Sequence, residues 1–84
     1  MNTPDELDLH GLTVDEALPK IENFLYASFQ AGLSQVLIVH GKGSGVLRQE
    51  VGRYLAGHPL VQGYRKADGS RGGIGATQME LSEK

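Results

Sequence analysis

The residues in this sequence equipped for chemistry are three histidines, one aspartate placed close to a histidine, and a lysine set among glycines. Asp8 and His10 stand two apart in Glu6-Leu7-Asp8-Leu9-His10. Leu7 and Leu9 alternate with them, the pattern of a half-buried strand over 6–10. Residues two apart on a strand project to the same side. A carboxylate and an imidazole would then arrive together. Such a pair can activate water, hold a divalent metal ion or pass a proton to a phosphate oxygen. The plain alternative is a solvated strand face with no role.

The second group is His40-Gly41-Lys42-Gly43-Ser44-Gly45, which follows the apolar run Val36-Leu37-Ile38-Val39. The run suits a strand buried on both faces. Apolar residues at 47, 51, 54 and 55 then have helical spacing. A strand, a glycine turn and a helix N-terminus bring free amide N–H groups and the positive end of a helix dipole together. Lys42 adds a cation, and His40 a group that titrates near neutral pH. Phosphate is the ligand this arrangement suits, with Lys42 and the amides of residues 43–46 holding it and Arg48 one turn into the helix. His40 could shuttle a proton or steady charge on the phosphate. A bare strand-to-helix turn with a structural histidine has the same sequence.

Other elements must support these groups. Thr13 and Glu16 have the spacing of a capping box. Val14, Ala17, Leu18, Ile21, Leu25 and Ser28 follow on one helical face, and Gly32 is the terminator. Pro19 lies inside this helix and predicts a bend or an irregular first turn over 15–19. Gly57-His58-Pro59 ends the second helix, and His58 reads as local structure. Tyr26 and Tyr54, with Phe24 and Phe29, read as core or rim. Val61–Lys66 predicts a third strand interrupted at Gly63. Residues 67–75 form a glycine-rich loop. Residues 76–81 predict a last strand with Thr77, Met79 and Leu81 on one face.

The order is β-α-β-α-β-β, an α/β two-layer sandwich. It predicts a four-stranded mixed sheet with both helices on one face, the first three strands parallel and the last turned back as a hairpin. The C-terminal ends of the three parallel strands then share one sheet edge, where open α/β sheets bind ligands. That edge gathers Asp8 and His10, the His40 turn, and Lys66 with the loop bearing Arg71.

Composition narrows the classes. Eighty-four residues make one domain, expected over 6–81 with polar tails at 1–5 and 82–84. With no cysteine there is no disulfide, thiolate metal site or Cys nucleophile. No apolar stretch reaches membrane-spanning length. The polar, acidic start is unlike a signal peptide, so a cytoplasmic location with no membrane partner is expected. The net charge is −2 but segregated. Asp5, Glu6, Asp8, Asp15, Glu16 and Glu22 meet only Lys20 in the first 23 residues. From 24 to 80, Lys42, Arg48, Arg53, Arg65, Lys66 and Arg71 outnumber Glu50, Asp68 and Glu80. Local positive charge of this kind permits phosphate-backbone contacts that give affinity without sequence readout.

Three stretches together resemble a known family. Leu7–Leu12 (LDLHGL), His40–Arg48 (HGKGSGVLR) and Gly72–Thr77 (GGIGAT) are similar to the signature stretches of the small MutS-related, or Smr, domain. The likeness covers about 6–81 and is closest to the Smr domain that ends bacterial MutS-like recombination-suppressing proteins. It implies a fold like the C-terminal domain of translation initiation factor three, and an endonuclease. On it, Asp8, His10 and His40 would be catalytic. Gly41 and Gly43 carry over with them, and from the residues themselves Lys42, Ser44, Gly45, Arg48, Lys66, Arg71, Gly72, Gly73 and Gly75 are the further candidates to bind phosphate or nucleic acid.

The resulting expectation is a phosphodiesterase module that nicks DNA, branched or linear, with little sequence preference, inside a larger MutS-like protein. The alternatives are cleavage of messenger RNA at stalled ribosomes and a non-catalytic nucleic-acid or ribosome-binding module. A divalent metal, Mg²⁺ or Mn²⁺ with Asp8 as the candidate ligand, is an open part of the enzyme reading.

Overall fold

The structure, a computed structural model, describes residues 5–41, 45–67 and 75–82. Its elements are β1 (Glu6–Asp8), α1 (Val14–Gln30), β2 (Gln35–Val39), α2 (Val46–Ala56), β3 (Val61–Lys66) and β4 (Ala76–Leu81). This is the expected order. The sheet runs β1-β2-β4-β3. β1 is parallel to β2, and β4 is antiparallel to both β2 and β3. The first three strands therefore share one direction, and the hairpin strand lies between β2 and β3.

Helix α1 begins and ends on local sequence. The Thr13 side chain accepts from the Glu16 N–H, and the Glu16 carboxylate accepts from the Thr13 N–H. At the other end Gly32 turns left-handed at φ +79°. Its N–H donates to Phe29 O and that of Leu33 to Ser28 O, the paired bonds that close a helix around such a glycine. The first turn, where Pro19 predicts a bend or an irregularity, is helical from Val14 onward. The helix is assigned without a break from Val14 to Gln30, and the first turn is closed by the capping box. Proline at 19 forfeits its own N–H bond, while the apolar stripe holds the helix to the sheet.

That stripe is the reason both helices lie on one face. Ala17, Ile21, Phe24 and Leu25 of α1 and Val51 and Leu55 of α2 pack with Leu9, Val36, Ile38, Met79 and Leu81 in a single core. Full burial of each large aliphatic side chain contributes about 1.5–3 kcal/mol. A small cluster of Leu37, Ala67 and Ala76, flanked by Val39, lies apart from that core. By strand alternation Leu37, Val39 and Ala76 project to the opposite face, which accounts for the apolar run of β2. Gly63 sits at a register shift in the β3–β4 pairing, the interruption its sequence predicts.

β1 is shorter than the expected 6–10. It stops at Asp8 because that side chain accepts from the His10 N–H at 3.0 Å, which turns the chain away from the ladder. Leu9 still donates to Val39 O and is fully buried.

Candidate active site

Asp8 and His10 form the most clearly built polar pair at the predicted edge. His10 Nδ1 lies 2.7 Å from Asp8 Oδ1, the same oxygen that accepts the His10 backbone N–H. An ionised carboxylate only accepts, so Nδ1 carries the proton and Nε2 is left as the outward base. The pair is open to solvent, with side-chain exposures of 71% for His10 and 55% for Asp8. The hydrogen bond that His10 donates to Asp8, aided by the carboxylate charge, raises the His10 pKa. In return the two His10 bonds hold the Asp8 carboxyl below the ordinary range.

His40 is placed differently. Its neighbour Val39 is in register with Asp8 and therefore shares a sheet face with it. Alternation puts the His40 ring on the other face, toward the helices. There it is 4% exposed. Nδ1–H donates to Gly41 O at 3.1 Å, and Nε2 accepts from the Thr77 hydroxyl at 2.9 Å. Burial lowers the His40 pKa, the Gly41 carbonyl opposes this, and the nearby positive charge of Arg48 adds to the lowering. This corrects the expectation of one cluster formed by Asp8, His10 and His40. Their strand ends are adjacent, but their side chains leave opposite faces of the sheet.

The link between the two is Gly41. It has φ +84°, and a Cβ built there would stand 3.3 Å from His10 Cβ. Its N–H and that of His40 both donate to Gly75 O, which ties the start of the glycine turn to the start of β4. Gly45 is also left-handed, at φ +86°, and precedes α2 without a side-chain cap. The Arg48 guanidinium lies over it. Lys42, Gly43, Ser44, Arg71, Gly72 and Gly73 lie outside the described residues.

The bases predicted on β3 alternate in direction, although both residues line the cleft that also holds Arg48 and Thr77. Arg65 pairs in register with Gln78, and Lys66 with Thr77, so they project to opposite faces. Lys66 joins Arg48 on the helix side, where both line one cleft with Thr77. Thr77 is a site residue that sequence reasoning passed over. The available signal was a hydroxyl on the core face of a strand, which demands a partner. Tyr64, 44% exposed in the same cleft, was also passed over.

His58 is local structure, as expected. It sits between Glu22, 2.8 Å from Nε2, and the Leu60 N–H, which donates to Nδ1. Tyr54 donates to the same Glu22 oxygen, and burial together with that carboxylate pushes its pKa up to about 12. Among the described residues no three His or acidic side chains gather as a metal-binding group. None of their helices is long and apolar enough to cross a membrane.

The Smr domain family model matches residues 7–82. The chain belongs to the Smr domain family. Among curated relatives this Smr domain is 47% identical over 77 residues to Endonuclease MutS2 of Pelotomaculum thermopropionicum. It is 43% identical over 76 residues to Endonuclease MutS2 of Thermomicrobium roseum. These matches cover 92% and 90% of the chain but 10% of each relative, so the Smr domain spans about a tenth of their length. Among solved structures it is similar to the Smr domain of Thermus thermophilus MutS2. That match has a TM-score of 0.89 and 39% identity, covering 92% of this chain and 96% of that one. It is also similar to YdaL, a stand-alone small MutS-related protein from Escherichia coli. Here the TM-score is 0.88 and the identity 32%, with 95% of this chain and 65% of that one covered.

Proposed function

We propose that this Smr domain is the phosphodiester-cleaving module of a MutS2-like protein, nicking DNA with little sequence preference on recombination intermediates. The observation that carries the reading is the Asp8–His10 pair. Asp8 fixes the tautomer and raises the basicity of His10, and Nε2 points outward as a general base. In the step we envisage, Nε2 takes the proton of an attacking water as its oxygen bonds to phosphorus. The bond to the leaving oxygen breaks, and that oxygen takes a proton from the His10 imidazolium or from solvent. Lys42 and the amides of the turn that begins at Gly41 hold the phosphate, while Arg48 and Lys66, on the helix side of the sheet, hold a neighbouring stretch of the strand. His40 braces the turn through Gly41 and Thr77.

The same base could deprotonate a ribose 2′-hydroxyl, which keeps RNA as the alternative substrate. A divalent ion fits this donor set only as a loosely held one. Asp8 would supply one carboxylate oxygen, and water and phosphate oxygens would complete the shell. Such an ion would neutralise charge on the phosphate. A specific observation favours the rival reading of a non-catalytic binding module: both nitrogens of His40 are already hydrogen-bonded.

The test is cleavage of supercoiled DNA and of single-stranded RNA in parallel, with EDTA, Mg²⁺ or Mn²⁺. Wild type is compared with Asp8→Ala, His10→Ala and His40→Ala. The proposal expects nicked DNA from wild type, and loss of about a hundredfold or more for His10→Ala. RNA cleavage blocked by a 2′-deoxy substitution would move the activity to the alternative substrate. Equal products from wild type and variants, with binding intact, would leave the docking module.

A further inference from the structure

Tyr64 stands in a trough between α2 and β3 that the two catalytic-pair residues do not touch. On one side Gly45, Arg48, Gln49, Gly52 and Arg53 line a cleft of about 420 Å³ with it. On the other, Arg48, Gly52, Lys66 and Thr77 line one of about 280 Å³ with it. Three residues, Arg48, Gly52 and Tyr64, belong to both, so the clefts are continuous past the ring.

Two features of this trough call for explanation. A large aromatic ring is left 44% exposed on β3, and Val46, which lines the same cleft, is 55% exposed. A glycine also sits inside α2, where it costs roughly 0.5–1 kcal/mol relative to alanine. The two are connected. A Cβ at Gly52 would lie 3.7 Å from Tyr64 Cε2, and any longer side chain would grow into the space beside the ring. Glycine keeps that space open. The cations beside it have different commitments. Arg53 is ion-paired with Glu50 at 3.5 Å. Arg48 and Lys66 flank the ring and give the trough positive charge.

An exposed ring bordered by cations, in a groove, is the chemistry that binds an unstacked base and its phosphates. We infer that the α2–β3 trough holds single-stranded nucleic acid, with one base stacked on Tyr64 and its flanking phosphates on Arg48 and Lys66. This rests on the nucleic-acid reading above and adds a strand preference to it. A base in a duplex has both faces covered by its neighbours and offers Tyr64 nothing. The site therefore selects a displaced strand, a gap or a junction over continuous duplex.

The experiment is fluorescence anisotropy of the chain with a labelled single-stranded dodecamer and with the same sequence as duplex, over a salt series. Tyr64→Ala should weaken single-strand binding about tenfold, within the range for one base stacked on an aromatic ring, and leave duplex binding unchanged. Tyr64→Phe should bind as wild type does. Gly52→Leu, which favours the helix, should show the same strand-selective loss by filling the trough. Arg48→Ala and Lys66→Ala should each reduce the single-strand salt slope by about 0.7. Unchanged single-strand affinity in Tyr64→Ala, or equal loss on both substrates, overturns the inference while wild-type binding or cleavage keeps the nucleic-acid reading. Wild type that binds neither substrate overturns both.

Discussion

Thr77 Oγ1 stands 2.9 Å from His40 Nε2, and the two side chains meet on the face of the sheet opposite Asp8. The bond joins the end of β2 to the start of β4. With the bond to Gly41 O it leaves both ring nitrogens of His40 partnered inside the protein. Any catalytic proton transfer by His40 must first displace the Thr77 hydroxyl.

Replacing Thr77 by Val keeps the shape and removes the donor. The buried Nε2 of His40 then lacks a partner, at a cost of about 1–3 kcal/mol. Urea denaturation should report that loss, and cleavage should fall with it if the turn shifts. Unchanged stability would mean that water or another side chain replaces the hydroxyl.

The two histidines should titrate on opposite sides of the ordinary imidazole value, 6.5. Asp8 raises His10, so this bond adds stability below the unfolded value and loses it as the pH rises through the folded one. The depressed Asp8 value sets the acid side of that window, and stability is lost again as pH falls through it. Burial lowers His40, which works the other way. Below 6.5 the unfolded chain accepts a proton that the folded one resists, so stability falls with pH until the folded ring is protonated. Proton NMR of the imidazole Cε1–H signals separates the two. Asp8→Asn should return the His10 midpoint toward 6.5 and leave His40 in place.

Gly41→Ala tests the junction between the two histidines. A left-handed alanine costs about 1–2 kcal/mol. Its Cβ would also press on His10 at 3.3 Å. We expect that loss in urea denaturation, together with a drop in cleavage larger than destabilisation alone produces. A variant that is destabilised but turns over normally would show that the placement of His10 does not depend on Gly41.

Ile38→Ala probes the platform beneath the site. Ile38 is wholly buried and pairs with Leu7 and Thr77 on either side. The truncation should cost about 2–5 kcal/mol, according to how far the core closes over the gap. A cost below 1 kcal/mol in equilibrium denaturation would contradict the packing described.

Much of this architecture was legible because local signals agreed. The Thr13–Glu16 box, the stripe from Ala17 to Leu25 and the Gly32 terminator each act within one or two helical turns, and each formed as its residues dictate. The two-residue spacing of Asp8 and His10 was enough to bring the carboxylate and imidazole together, although a turn closed by the Asp8 side chain, and not strand alternation through residue 10, makes the pair. Pro19 leaves the helix unbroken because its effect depends on what holds the rest of the helix. A lost hydrogen bond is visible in the sequence, whereas the packing that offsets it comes from distant strands.

The sequence by itself determined the elements, their order and the Asp8–His10 pair, since these rest on contacts between residues a few positions apart. Only the tertiary structure decided that β4 lies between β2 and β3. That choice sends His40 to Thr77 and sets Tyr64 against Gly52. Those outcomes follow from strand pairing and from which face each residue takes once paired. Such relations join positions dozens of residues apart and leave no periodic trace in the chain.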